Sequence, residues 1–398
     1  MRISTASAFD TTINSLQRRQ AELSEAQTKL TSGKRVLRAS DDPVAAARAE
    51  RAMATESLAD NRQRALEASR NAMQLAEGSL GDASDLLQQI REALVAGGNA
   101  SYTDKERQGL ADKIAGLRAQ LLVVANRTDG AGNYLFAGQG SNTAPFLDTP
   151  AGVQFRGVAG QVATATPEAL PLAVDGAGAW LSARSGNGVF ETKPGPANTG
   201  SASIDSGRVT NPSALTGGNY SVQFSVSGGA TTYTVSKDGV AVGSPQPYTS
   251  GTAIEVDGQS FTITGTPADG DRFDSVPSTP SLSIFDTLDR VVGELRTPLR
   301  NAGQITQGIS RGIRDVDQSM ASLGALRSQL GETLNLADGA ESRNADLKLN
   351  AKTERSNAED LDMVQAISDF QNQQSGYDAA LKTYSMVQKM SLFQYLQT

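Results

Sequence analysis

Apolar residues recur at heptad spacing towards both ends of this chain, and a long stretch in the middle does not carry the pattern. Phe9, Ile13, Leu16, Gln20, Leu23, Gln27 and Leu30 follow one another at alternating steps of four and three. That places Phe9, Leu16, Leu23 and Leu30 on one edge of a helical seam and Ile13, Gln20 and Gln27 on the other. Glu25 precedes Lys29 by four, the better orientation for a surface pair. A seam so rich in glutamine specifies register while contributing little stability, so the helix needs a partner. The other end of the chain offers one. Tyr377, Leu381, Tyr384, Gln388, Ser391 and Tyr395 repeat at four and three, with Val364, Ile367, Gln371 and Gln374 upstream in a register that does not join theirs. Two amphipathic helices on an ordinary core is the plainer alternative. Neither helix carries enough apolar surface for that, and both sit at chain ends, where order is weakest. The two ends therefore read as an assembly element.

Composition narrows the chemistry. The chain has 398 residues and a net charge of −7, which disfavours nucleic acid, whose binding rests on Lys and Arg neutralising phosphates. It contains no cysteine and no histidine. Disulfides, Cys- or His-ligated metals, thiol nucleophiles and Ser–His–Asp triads are thereby excluded. An enzyme here would run on carboxylates, lysine or tyrosine, and we expect neither catalysis nor a cofactor. No run of eighteen apolar residues occurs and the N-terminus lacks an apolar signal region, so we expect no membrane span and no cleaved signal peptide.

The segments between the ends are punctuated clearly. Gly33 ends the first helix, and Asp42-Pro43 starts the next, as a carboxylate N-cap followed by proline at the first helical position. Ser32-Gly33-Lys34 is not a phosphate loop, because the glycine needed five residues before Gly33 is Thr28. Lys34, Arg35 and Arg38 read most simply as a solvated loop, with contact to an acidic neighbour as the functional alternative. From Pro43 to about Ala96 an alanine-rich helix carries Leu66, Met73, Leu80 and Leu87, widened by Leu58, Leu86, Ile90 and Leu94. Thr103 and Glu106 form a capping box for a helix through Leu110, Ile114, Leu117, Leu121 and Val124, followed by a glycine-bounded strand over 126–138.

Several of these stretches resemble the flagellin superfamily: Met1 to Thr5, Leu30-Thr31-Ser32-Gly33-Lys34-Arg35, Ser40-Asp41-Asp42-Pro43-Val44, Asn133-Tyr134-Leu135-Phe136-Ala137-Gly138, and the terminal run from Ala380 to Phe393. Pro43-Val44, where flagellins typically carry alanines, and the C-terminal run are similar to the hook–filament junction branch of that superfamily rather than to flagellin. The likeness covers roughly residues 1–138 and 281–398.

Residues 139–280 differ in kind. They hold every one of the 14 prolines except Pro43 and Pro298, and most of the chain's net negative charge. Tyr220, Val222, Phe224 and Val226 alternate, and Asp238-Gly239 and Asp257-Gly258 are two-residue hairpin turns. Asp257, Asp269, Asp271 and Asp274 raise the question of calcium, but the EF-hand spacing is absent and a solvated acidic turn is the simpler reading. Trp180 is expected in the core of this insertion, with glycan stacking as the alternative. Helix resumes through Leu282, Phe285, Leu288, Val292 and Leu295. A second long helix carries Ile309, Ile313, Val316, Met320, Leu323, Leu330 and Leu334, with Gly308, Gly312, Gly324 and Gly331 read as points of close helix approach.

The expected fold is mainly α with a β-rich insertion: terminal coiled-coil helices (1–42 with 358–398), an antiparallel helical shaft (43–138 with 281–357) and an outer all-β domain (139–280). Phe9, Ile13, Leu16, Leu23, Leu30, Ile367, Tyr377, Leu381, Tyr384, Leu392 and Phe393 are the candidate assembly residues, and Asp42 with Pro43 the shaft cap. The resemblance implies a structural adaptor of the bacterial flagellum, extracellular, exported unfolded, forming a ring between the first hook-associated protein and flagellin and transmitting torque. It also implies a cytoplasmic export chaperone holding the C-terminal helix around Leu381, Tyr384, Leu392 and Phe393. A minor flagellin, a surface adhesin on a flagellin-like scaffold, and a carboxylate-only glycosidase in 139–280 are the alternatives.

Overall fold

A computed structural model describes residues 5–99, 101–140 and 143–395, with side chains from residue 10 to 386 within those spans. The N-terminal half runs α1 (Thr5–Ser32), α2 (Pro43–Gly97) and α3 (Asp104–Ala125), then β1 (Phe146–Thr149), β2 (Gly152–Phe155) and α4 (Gly176–Leu181). There follow β3 (Ala183–Arg184), β4 (Phe190–Pro194), β5 (Ser203–Ile204), β6 (Arg208–Val209), β7 (Tyr220–Ser227), β8 (Ala230–Lys237), β9 (Val240–Ala241) and β10 (Gln246–Pro247). The chain then returns through β11 (Ala253–Val256), β12 (Gln259–Thr264), β13 (Arg272–Pro277), β14 (Pro280–Leu282), α5 (Ile284–Arg296), α6 (Ala302–Glu359) and α7 (Met363–Tyr395). It is mainly α with a β-rich insertion. At 1.5 Å per residue α6 is about 87 Å long.

Contacts divide the chain into a terminal unit, Met1–Arg64 with Glu341–Thr398, and a central unit, Ala65–Ala340. In the central unit α2 presents Leu66, Met73, Leu80, Leu87 and Leu94 every seven residues, all buried, and α6 presents Ile309, Val316, Leu323 and Leu330 at the same period. Arg91 to Asp317 at 2.7 Å and Arg327 to Glu77 at 2.5 Å set the two helices antiparallel. In the terminal unit the same period continues with smaller residues, Ala45, Ala52 and Ala59 on α2 and Asn344, Ala351 and Ala358 on α6. Alanine layers bury little, so polar pairs hold the register: Asn344 Nδ2 donates to the Ala59 carbonyl at 2.8 Å, and Arg355 meets Glu56 at 2.6 Å. Leu58, expected in the stripe, is exposed, and Ala59 takes the buried position.

The insertion is two things. Its first part shares the helical core: Phe146 on β1, Val153 on β2 and Trp180 on α4 pack with Ile114, Leu121, Phe136 and Phe285. Trp180 stacks on Phe285 at 6.2 Å and meets Phe136 edge-on at 5.5 Å. It therefore belongs to the helical core and not to the β lobe, since its ring partners come from segments on both sides of the insertion. The second part, entered at β3 and left at β14, has its own core of Phe190, Ile204, Val222, Phe224, Phe261, Ile263 and Phe273. Its sheets order as β10-β8-β7-β13-β4 and β11-β12-β5. Tyr220, Val222 and Phe224 point inward, and both Asp-Gly turns have positive φ at each central residue, as a type I′ turn requires.

Two local expectations change. Residues 128–138 form turns rather than a strand, tied by bridges Thr128↔Tyr134 and Gly138↔Val158, because Asp129 Oδ1 accepts from the backbone of Ala131 and Asn133 and curls the segment. Of the four α6 glycines read as points of close approach, Gly312 faces Val291 and Leu94, and Gly308 lies against the Glu294 carboxylate, where a Cβ would overlap. Gly324 and Gly331 have open space, so close approach does not account for them.

Candidate assembly interface

The terminal helices α1 and α7 pack on each other within the terminal unit. On α7 the half-buried positions Ala366, Phe370, Gln373, Tyr377, Ala380 and Tyr384 form an unbroken four–three heptad, with Gly376 half-buried beside them. On α1 they include Thr12, Leu16, Leu23, Ala26 and Leu30, with Arg19 lying over Gly376, whose missing Cβ would sit 2.7 Å from Nη1. The pair joins large residues to small ones, and no described residue of either helix is buried. Gln373 Oε1 is enclosed in this seam without a hydrogen-bond partner.

This register differs from the one expected. Leu16, Leu23, Leu30, Tyr377 and Tyr384 are half-buried in the pair, but the second edge of α1 is Thr12, Arg19 and Ala26, and Ile13 is 38% exposed. Ile367 and Leu381 lie outside the seam, at 46% and 41% exposed, on a stripe that Val364 extends at 82%. The side chains of Phe9, Gln388, Ser391, Leu392, Phe393 and Tyr395 lie outside the described residues. The inner register escaped the sequence reading because alanine and glycine do not register as apolar heptad positions. Phe370, seven residues before Tyr377 and fourteen before Tyr384, is the signal that marks the inner register. Helix α7 thus has two heptad faces, one spent on α1 and one uncovered.

At the base of this pair the two linkers are laced together. Arg35 N donates to the Glu359 carbonyl at 2.7 Å and Leu361 N to the Gly33 carbonyl at 2.9 Å, with a bridge Lys34↔Asp360 between. Lys34 Nζ meets Glu359 at 3.0 Å, and Arg35 Nη2 donates to the Ala358 carbonyl at 2.9 Å. The Lys34–Arg35 cluster is therefore a cap on the end of α6 rather than a solvated loop. Asp42 Oδ1 accepts from Ala45 N at 3.0 Å and Val44 N at 3.2 Å as α2 begins at Pro43. The Ala45 amide, then Arg35, hold the Asp42 carboxyl below its usual pKa. Asp41 is held low by the amides of Arg38 and Leu37.

The four lobe aspartates that raised the question of calcium have separate duties. Asp257 accepts from Tyr220 Oη at 2.6 Å and Lys237 Nζ at 2.7 Å, Asp271 from the amides of Thr199, Gly200 and Ala268, and Asp269 from Val226 N, while Asp274 pairs with Arg272. Among the described residues no group of three or more acidic side chains is placed to hold a metal.

Long helices packed in antiparallel heptads, with α1 paired to α7 and a β lobe inserted between α3 and α5, are the architecture that the flagellin resemblance implies. The model of the bacterial flagellin N-terminal helical region matches residues 3–141. Along 99% of its length the chain is a homologue of flagellar hook-associated protein 3, being 26% identical to that protein of Salmonella typhimurium and covering 99% of it. Similarity to Bacillus subtilis flagellin, at 31% identity, extends over 35% of this chain and 46% of that one. The crystal structure of flagellar hook associated protein-3 from Legionella pneumophila superposes with a TM-score of 0.70 at 28% identity, over 76% of this chain and 97% of that one.

Proposed function

We propose that this chain is a structural component of the bacterial flagellum, an adaptor at the hook–filament junction that connects hook-associated proteins to the filament and transmits torque. The observation that carries the reading is homology to hook-associated protein 3 over 99% of the chain, where the likeness to Bacillus subtilis flagellin covers only 35% of it. The terminal segment, 1–42 with 358–398, is the assembly element, the paired long helices are the shaft, and the β lobe is the outer domain. Support for the assembly role comes from the α1–α7 pair, which buries no described residue and leaves Ile13, Val364, Ile367 and Leu381 uncovered. Burial withheld in the single chain is supplied by neighbours, which couples ordering of the ends to association. The partners on this reading are further copies of the chain in a ring, the first hook-associated protein and flagellin, with an export chaperone on α7 around Leu381, Tyr384, Leu392 and Phe393. The role is mechanical and not catalytic. No described helix is long and apolar enough to cross a membrane.

Deleting the gene and measuring flagellin in the medium alongside filaments on the cells tests this. Hooks without filaments, and flagellin lost unpolymerised, are expected. Filaments of normal number in its absence would overturn the junction role and favour a minor filament subunit.

A further inference from the structure

The helical core and the β-lobe core of the central unit share no residue. The chain crosses between them only at a short ribbon, where β3 pairs with β14 through Ala183↔Leu282 and Arg184↔Pro280, extended by Ser185 N donating to the Thr279 carbonyl at 3.0 Å. Two strands of this length do not fix an angle by themselves. What fixes it is a row on one face of α6. Asn301, at the N-cap, donates to the Gly200 carbonyl at 3.3 Å. Gly303 lies against the Ser201 carbonyl so closely that a Cβ would overlap it. Gln307 Oε1 accepts from Ile204 N at 2.6 Å, Arg311 Nη2 meets Glu191 at 3.2 Å, and Arg314 Nη1 donates to the Thr192 carbonyl at 3.0 Å.

Steps of four, four and three from Gly303 to Arg314 put these groups on one helical face. Each of them reaches the lobe's own strands β4 and β5 or the turn before β5. Behind them Asp315, buried at the end of its side chain, holds Arg314 at 3.0 Å and Arg290 of α5 at 2.7 Å. Arg290 pairs further with Glu294 at 3.5 Å. The contacts named across this join are polar or ionic, unlike those that build either core. Buried ion pairs of this kind add little net stability beside an apolar alternative, yet they are directional and costly to leave half-made. Such an interface has one good pose and no graded slide.

We propose that the β lobe is an arm hinged at the β3–β14 ribbon and latched onto α6 by the Glu191–Arg311–Arg314–Asp315 network, so that opening the latch frees the arm while both cores stay folded. The missing cysteines make the test direct. Val123 on α3 and Val240 on β9 are both strongly exposed, at 71% and 70%, and Val123→Cys with Val240→Cys would carry a pair of spin labels. The labelled parent is expected to give one narrow distance distribution. Adding Glu191→Gln and Arg311→Gln should broaden it at least threefold, while amide exchange protection in β7, β13 and α2 is retained. A distribution as narrow as the parent's would overturn the latch. Broadening accompanied by lost protection in β7 and β13 would overturn it too, since the network would then be holding the lobe's fold. Should the double variant not fold, Glu191→Gln alone is measured, and its failure to fold counts against the proposal in the same way.

Discussion

Replacing Val364, Ile367 and Leu381 together by serine should disable assembly and leave the single chain intact. These residues sit on the face of α7 that α1 does not cover, with 82%, 46% and 41% of their surface still free. Complete burial of such a side chain is worth about 2 kcal/mol, and scaling by the free surface leaves about 3 kcal/mol for the three. Association discounts area for lost motion, so about 3 kcal/mol is an upper value, corresponding to roughly a hundredfold in affinity. The inner seam of Ala366, Phe370, Tyr377 and Tyr384 is untouched, and exposed substitutions of this kind alter stability by about 0.5 kcal/mol or less. The assay is complementation of a strain lacking the gene from a titratable promoter, scoring filaments per cell and flagellin in the medium. The expression level that half-restores filaments should rise by up to about two orders of magnitude, with helicity and melting of the purified chain unchanged. Two results refute the reasoning: filaments restored at the wild-type level of expression, or a purified variant that has lost helix.

Three further outcomes follow from the same geometry. In a verified monomer, residues 1–40 and 360–398 should be clipped by protease well before the long helices α2 and α6, and equal resistance of ends and long helices would remove the coupling of order to assembly. Leu80→Ala, at a fully buried layer of α2, should cost about 2–5 kcal/mol, read as earlier loss of the buried emission of Trp180, the single tryptophan. Asp257 has a folded pKa of about 2 against 3.8 when unperturbed, set by Lys237 first and Tyr220 next. Its contribution is complete above about pH 4 and lost as pH falls towards 2, so Asp257→Asn should flatten the acid limb of the lobe's melting profile there, and an unchanged limb would show the pair to be idle.

Much of this architecture was legible residue by residue. Local chemistry announced itself: Thr103 with Glu106, Asp238-Gly239 and Asp257-Gly258 each satisfy backbone demands within a few residues, and each sits where the sequence placed it. The long apolar repeats on α2 and α6 were equally visible, because leucine and methionine at intervals of seven have no other use. What escaped depended on partners far away in sequence. Trp180 could not be assigned to a core without knowing that Phe136 and Phe285, from either side of the insertion, both pack on its ring. The inner face of α7 is half hidden: Tyr377 and Tyr384 mark it, but Ala366, Gln373 and Ala380 between the aromatics do not stand out in a sequence. The Lys34–Arg35 cluster looked solvated for the same reason, its partners lying near residue 359.

That last clasp has a consequence for the order of events in synthesis. Lys34 and Glu359 are 325 positions apart, and the alanine half of α2 finds Asn344, Lys348 and Arg355 comparably late. A nascent chain that has reached residue 340 already holds every residue of the central unit, and its first 64 residues still have nothing to close upon. The N-terminal segment is thus made first and completed last, since contacts of such long range wait for the final residues. For most of its time on the ribosome the chain carries its own foundation unbuilt.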